Sequence, residues 1–261
     1  MKPLPKIMVA PNGARRSKSD HPALPVTDAE LIETAIACQT AGADGIHVHI
    51  RDAEGKHEID AGHYRELLAQ LREAVPNMYH QVTSESAERY SAAEQREMMR
   101  SLIPAHVSVA VREMVRHPSD WDEAQDFYEW AHVSNVDIQH ILYSPTEVRN
   151  FVAALDNGRI PGTTHLIQLV QGSYANGSKG QTPLADYLAE FENADGMTFD
   201  WMLCAFGTEE TANLRNAATF GGKARVGFEN SFWNMDGSLA DDNAMRVREV
   251  NSAIRDLDGG A

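Results

Sequence analysis

The chain has 261 residues, 43% hydrophobic and 23% charged, a composition that excludes disordered, collagen-like and low-complexity chains. Its 23 basic and 38 acidic side chains give a formal net charge of −15, which opposes nonspecific attraction to nucleic acid or an anionic membrane. The early apolar run Ile7-Met8-Val9-Ala10 is too short for a signal-peptide core or a membrane span, so a cytoplasmic protein is expected.

Strand-like runs fall at residues 6–10, 45–50, 78–83, 105–111, 136–143, 164–170, 199–206 and 224–228, each followed by a segment of helical period. Thr27 with Glu30, Ser91 with Glu94, and Ser144 with Glu147 have capping-box spacing. Asp60, Ser119, Thr182, Thr208 and Ser238 are candidate caps for the other helices. In the last helix Ala244, Val247, Val250, Ile254 and Leu257 form a stripe that can cover a barrel wall. Eight β-then-α units without a hairpin signal predict a single (β/α)8 TIM barrel domain over residues 1–261. A doubly wound sheet fits less well, because Asn12-Gly13-Ala14 lacks the G-x-G-x-x-G spacing. The Gly/Ser-rich stretch 172–180 after the sixth strand is a candidate active-site loop, with Lys179 as its candidate substrate-binding residue.

Chemistry concentrates in His47-Val48-His49-Ile50-Arg51-Asp52, at the end of the second strand. Strand side chains alternate faces, so His47 and His49 point the same way and can share a metal. Cys38 and Cys204 form no C-x-x-C pair and read as core thiols, so a metal must use histidine and carboxylate. Glu229, ending the eighth strand in Arg225-Val226-Gly227-Phe228-Glu229-Asn230, can meet the histidines because strands two and eight flank strand one. A His₂Glu set with an open position is a catalytic zinc arrangement, although another divalent ion would suit the same ligands. Arg225 can steer a carboxylate of substrate or protein, or form a structural ion pair. His140 and His165 would fit a zinc hydrolase only if they faced the barrel mouth.

Pro11-Asn12-Gly13-Ala14, Leu24-Pro25-Val26-Thr27, Ala41-Gly42-Ala43, the H-x-H-x-R-D element and residues 221–229 together resemble the β-keto acid cleavage enzymes, nearly end to end. The resemblance implies a zinc-dependent (β/α)8 barrel that takes a β-keto acid and acetyl-CoA and returns acetoacetate and a new acyl-CoA. It implies that His47, His49 and Glu229 hold the metal, that Arg225 is the active-site arginine, and that Thr83 or Ser84 supplies a catalytic hydroxyl. It also implies a homo-oligomer, dimer or tetramer.

Three departures from the family pattern bear on substrate and mechanism. Asn230 stands where the family has an aspartate, and a carboxamide is no base. Arg15 and Gln139 replace acidic residues of the amino-substrate members, so a neutral or anionic substrate tail is expected. Glu85, after Thr83-Ser84, is the preferred replacement base; Asp52 and Glu113 are weaker candidates. Two other readings stay open: a metal-dependent hydrolase or lyase without coenzyme A, and a catalytically silent ligand-binding barrel.

Overall fold

The computed structural model describes residues 1–258. Eight parallel strands close into a barrel: β1 (Ile7–Val9), β2 (Gly45–Val48), β5 (Tyr79–Thr83), β6 (His106–Ala110), β7 (Asp137–Leu142), β8 (Thr164–Gln171), β9 (Thr198–Ala205) and β10 (Lys223–Val226). Round the wall the order is β1-β10-β9-β8-β7-β6-β5-β2, so β2 and β10 flank β1. The predicted (β/α)8 barrel is the observed architecture.

The missing hairpin signal needs correction. The strand predicted over 45–50 leaves the barrel after Val48, and Ile50–Arg51 (β3) pairs antiparallel with His57–Glu58 (β4). Asp52 makes the turn by accepting the amides of Glu54 at 3.1 Å and Lys56 at 2.8 Å, while Gly55 takes the left-handed φ of 76° that the turn needs. Strand β10 likewise ends at Val226, two residues before its predicted end, because Gly227 bends the chain.

The helices are α1 (Asp28–Ala41), α2 (Ala61–Ala74), α3 (Ala92–Leu102), α4 (Val111–Met114), α5 (Trp121–Val133), α6 (Pro145–Asp156), α7 (Leu184–Phe191), α8 (Glu210–Thr219) and α9 (Asn243–Asp258). Thr27 and Ser91 form the expected capping boxes, and Asp60 caps α2. Ser144 accepts from the Glu147 amide, but Glu147 reaches back to Tyr143 N rather than to its own cap. Ser119 falls inside a 3₁₀ turn, and α7 and α8 begin after Pro183 and Glu209 without a side-chain cap. Asp242, not Ser238, accepts the Met245 amide at the start of α9.

Alternation along the strands sorts the core into layers. Outward residues such as Ile7, Val9, Ile46, Val48, Val82 and Ile167 join the helix faces in one large apolar cluster. Inside the barrel, Leu4, Met8, Tyr79, Leu166 and Met202 plug the floor. Ala110, Ile141, Val170, Cys204 and Phe206 form a separate apolar set nearer the C-terminal ends. Between these lie the buried amides Gln81, Gln139 and Gln168. His140 and His165 pack against Tyr128, Phe151 and Phe199 in the outer wall, which removes the hydrolase-like arrangement.

His63 on α2 ties three elements together, with Nδ1 3.0 Å from Glu58 and Nε2 3.0 Å from Asp28. Burial lowers its pKa, but the two carboxylates outweigh burial and hold it above the ordinary 6.5. A raised folded pKa stabilises fully below the unfolded value, and the contribution disappears as pH rises through the folded value. The urea-midpoint difference between wild type and His63→Gln should therefore be greatest below pH 6.5 and shrink above it, with a maximum of about 1 kcal/mol or less for a partly exposed group.

Candidate active site

Because β2 and β10 flank β1, their C-terminal ends converge. His47, His49 and Glu229 offer ligand atoms that all lie within 4.8 Å of one another, and all three side chains are buried. The two imidazole Nε2 atoms are 3.0 Å apart. Glu229 Oε2 lies 3.7 Å from His47 Nε2 and 3.4 Å from His49 Nε2.

Each of the three side chains has its own support. Gln81 donates through Nε2 to Gln139 Oε1 at 2.9 Å, which leaves its oxygen facing His47 Nδ1 at 2.8 Å. That network assigns the His47 proton to Nδ1 and leaves a lone pair on Nε2. Asn12 holds the backbone at His49 by donating to its carbonyl at 2.9 Å. Glu229 follows a sharp bend at Gly227, whose φ is 140°; a Cβ there would fall 2.5 Å from the Ala10 carbonyl oxygen. Beyond the bend, Glu229 N donates to Ala10 O at 3.0 Å, and Asn243 accepts the Phe228 amide at 2.9 Å. Arg16 donates to the carbonyls of Glu229 and Asn230, each at 3.2 Å. From below, the buried Glu210 accepts the Gly227 amide at 3.3 Å and pairs with the buried Arg246 at 2.8 Å.

Electrostatics keep the histidines neutral and the glutamate ionised. Burial pushes His47 down to about 4 and His49 well below its ordinary value, although Glu229 opposes both shifts. Burial alone would raise Glu229, but the Arg225 guanidinium, 3.0 Å from Oε1, holds it well below the usual carboxylate range. Burial would also lower Arg225, and Glu229 more than reverses this. Thus Oε1 is satisfied, whereas the buried Oε2 has no hydrogen-bond partner. A bare carboxylate oxygen facing two imidazole nitrogens is costly in a buried site unless a cation sits among them. The donor set, two nitrogens and one oxygen, suits a divalent ion such as zinc.

Above the cluster lies a cavity of about 320 Å³. Its lining includes His47, Arg225 and Glu229, with Arg15, Thr83, Glu85, Ser108, Arg112, Tyr143 and Tyr174 around them and Ala110, Ile141, Val170 and Phe206 as apolar wall. Glu85 Oε2 is 3.9 Å from His49 Nδ1. Burial, then Glu229 and Glu113, push Glu85 up to about 7 against the opposing Arg15.

The other residues singled out from sequence divide between cavity and support. Thr83 lines the cavity, and its Oγ1 accepts the Glu85 amide at 3.0 Å. Ser84 is not on the lining and donates to the Ser108 carbonyl at 2.9 Å. Gln139 lies under the His47-His49-Glu229 cluster as the partner of Gln81, not on the cavity lining. Lys179 is exposed and off the lining; from the same loop Tyr174 enters instead. Asn230 is buried off the lining with both side-chain polar atoms unpartnered. Arg15 lies 4.0 Å from Glu85 and 3.3 Å from Glu88. Asp52 belongs to its turn, and Glu113 accepts from the Ser86 amide and hydroxyl at 2.9 and 2.7 Å, fixing the loop that carries Glu85.

Sequence reasoning missed Gln81, Ser108, Arg16, Arg112 and Tyr174. Gln81 was within reach of strand alternation: it lies two residues before Thr83 and pairs in register with His47.

The family model for the beta-keto acid cleavage enzyme matches residues 6–260. The chain belongs to the beta-keto acid cleavage enzyme family. Within the curated proteins it is 27% identical over 251 residues to the 3-oxoadipate:acetyl-CoA acetyltransferase of Cupriavidus necator, covering 94% of this chain and 86% of that protein. It is 25% identical over 283 residues to the 3,5-dioxohexanoate:acetyl-CoA acetone transferase of Paraburkholderia graminis, covering 96% and 90%. Among solved structures, apo ObcA aligns with a TM-score of 0.63 at 15% identity over 92% of this chain; the chain spans 63% of the length of that structure. The 3-dehydroquinate dehydratase of Geobacillus kaustophilus gives 0.61 at 13% identity, covering 99% and 93%. These two likenesses concern the barrel fold alone.

Gly13 tests the packing of the site. Its φ is 62°, and a Cβ would fall 2.5 Å from Glu229 Cγ. Gly13→Ala should lower stability by roughly 1–3 kcal/mol in urea denaturation, from backbone strain and overpacking together.

Proposed function

We propose that this enzyme cleaves a β-keto acid with acetyl-CoA as co-substrate, releasing acetoacetate and a new acyl-CoA, with zinc or another divalent ion held by His47, His49 and Glu229. The carrying observation is the unpartnered Glu229 Oε2 facing two neutral imidazoles at the edge of a cavity that also holds Glu85. Family membership and the acetyl-CoA named for both curated relatives support the reaction class.

When bound, the ion would supply Lewis-acid polarisation of the β-keto carbonyl. Glu85 takes the proton from the methylene between the keto and carboxyl carbons, a role Asn230 cannot fill because a carboxamide does not accept a proton at neutral pH. The carbanion attacks the acetyl thioester and expels coenzyme A as thiolate. The thiolate adds to the original keto carbon, and the bond to the former methylene breaks, giving acyl-CoA and the acetoacetate carbanion, which takes back the proton held on Glu85 to become acetoacetate. Thr83 fixes the Glu85 backbone, and its hydroxyl can donate to the keto acid. Arg225 keeps Glu229 ionised and, from the cavity wall, orients the substrate carboxylate.

Arg15 lies against Glu85 and Glu88 and lines the cavity, so its charge offsets theirs and makes the cavity less favourable to a cationic substrate than to a neutral or acidic one. The Cupriavidus relative is named for 3-oxoadipate, a β-keto acid with a second carboxylate. A homo-oligomer is supported by the exposed apolar side chains Trp233, Met235 and Leu239. Among the described residues no helix is long and apolar enough to cross a membrane.

Purified protein is expected to carry about one divalent ion per chain by elemental analysis, and His47→Ala or His49→Ala to lose it while keeping a native circular dichroism spectrum. Full occupancy in both variants would refute the ligand assignment. Glu85→Gln should lower turnover by about 10² to 10⁴ with metal content unchanged. Absence of cleavage by the metal-loaded wild type across a broad set of β-keto acids with acetyl-CoA would instead favour a coenzyme-independent hydrolase or lyase.

A further inference from the structure

The cavity has two polar ends. In the barrel order β10 and β6 stand opposite each other, four steps apart in either direction. Arg225 and Glu229 come from β10 and the segment after it, whereas Arg112 lies on α4, directly after β6, and lines the same cavity. Between the two ends the wall is apolar, with Ile141, Val170 and Phe206.

The cationic groups of the cavity differ in what already occupies them. Arg225 is held by Glu229, and Arg15 lies against Glu85 and Glu88. The Arg112 guanidinium lies over the Tyr143 ring, its carbon 3.4 Å from the ring centroid, a separation at which a face-on approach avoids driving an N–H into the ring. Its contact with Glu147 is an ion pair at 3.7 Å, and among the described residues it donates no hydrogen bond. Stacking uses the face of a guanidinium and leaves the N–H groups on its edge available for a bidentate acceptor. The ring also fixes the plane of the group, so less freedom is lost when an anion binds.

We propose that Arg112 receives the carboxylate at the far end of the substrate tail, which makes the substrate class dicarboxylic β-keto acids. The position of the β-keto head rests on the function proposed above; the tail site rests on Arg112 and the wall. Arg112 also borders an outer groove with Trp121 and Arg159, so the competing role is contact with the coenzyme.

The test separates these possibilities by binding, using stable analogues. Calorimetry on the purified metal-loaded protein compares 3-hydroxyadipate with 3-hydroxyhexanoate, which differ in the tail terminus at equal chain length. The wild type should bind the dicarboxylate about threefold to tenfold tighter, the range left for a charge-assisted pair at a half-exposed arginine. Arg112→Gln should bring the two within about twofold, and Arg112→Lys should retain part of the preference because it keeps the charge but loses the fork. Acetyl-CoA affinity should be the same in Arg112→Gln as in wild type. Equal or absent binding of both acids by wild type, a preference that survives in Arg112→Gln, or a loss confined to acetyl-CoA would overturn the proposal. Parallel cleavage assays of 3-oxoadipate and 3-oxohexanoate with acetyl-CoA distinguish the two readings. A tail preference in binding without turnover refutes the cleavage reaction and leaves the role of Arg112 standing.

Discussion

A buried carboxylate beside two neutral imidazoles is the constraint around which this barrel is arranged. One oxygen of Glu229 is satisfied by Arg225, and the other is left facing the two imidazole Nε2 atoms without a hydrogen bond of its own. Holding that geometry requires the chain to leave β10 abruptly, which only the bend at Gly227 allows. The bend is secured from several sides, by Ala10, Asn243, Arg16 and the Glu210–Arg246 pair. Gly13 then supplies the gap into which the Glu229 side chain fits. Polar groups buried for this purpose would be liabilities in an ordinary core, and most of the nearby loop structure serves to place them.

The second support runs through the interior. His47 is oriented by Gln81, and Gln81 by Gln139, so a ligand on β2 depends on side chains from two further strands. This layer lies above the apolar floor formed by Met8, Tyr79, Leu166 and Met202. The barrel interior therefore changes along its axis from oil-like to amide-rich to open cavity, and the ring proton of His47 is fixed from beneath, out of reach of substrate.

The barrel was legible because its wall is written in alternating apolar runs, and His47 and His49 were legible because two histidines at i, i+2 share a strand face. Glu229 followed from the adjacency of strands two and eight. What alternation does not encode is depth along the barrel axis, and so Gln139, correctly facing inward, proved to lie one layer below the cavity. Nor does it encode order around the ring: Arg112 sits in a four-residue helix, and only closure of the barrel sets it opposite β10. The β3–β4 pairing escaped notice because strands of two residues have no period to read. Lys179 and Tyr174 show the limit in loops, where composition marked the segment but not the side chain that turns inward.

The ring order also divides labour among strands. The segments ending β2 and β10 carry His47, His49 and Glu229, with Gln81 of β5 and Gln139 of β7 beneath them, while the outer ends of β7 and β8 and the segment after β9 supply the apolar wall. Ile141, Val170 and Phe206 line the cavity one layer above the amides under His47, and none of them is among the residues that secure the bend before Glu229, so the wall can change with the support left in place. A barrel built this way separates the inheritance of its chemistry from the inheritance of its selectivity, and a combinatorial library confined to the far wall would explore new substrates on an unchanged reaction centre.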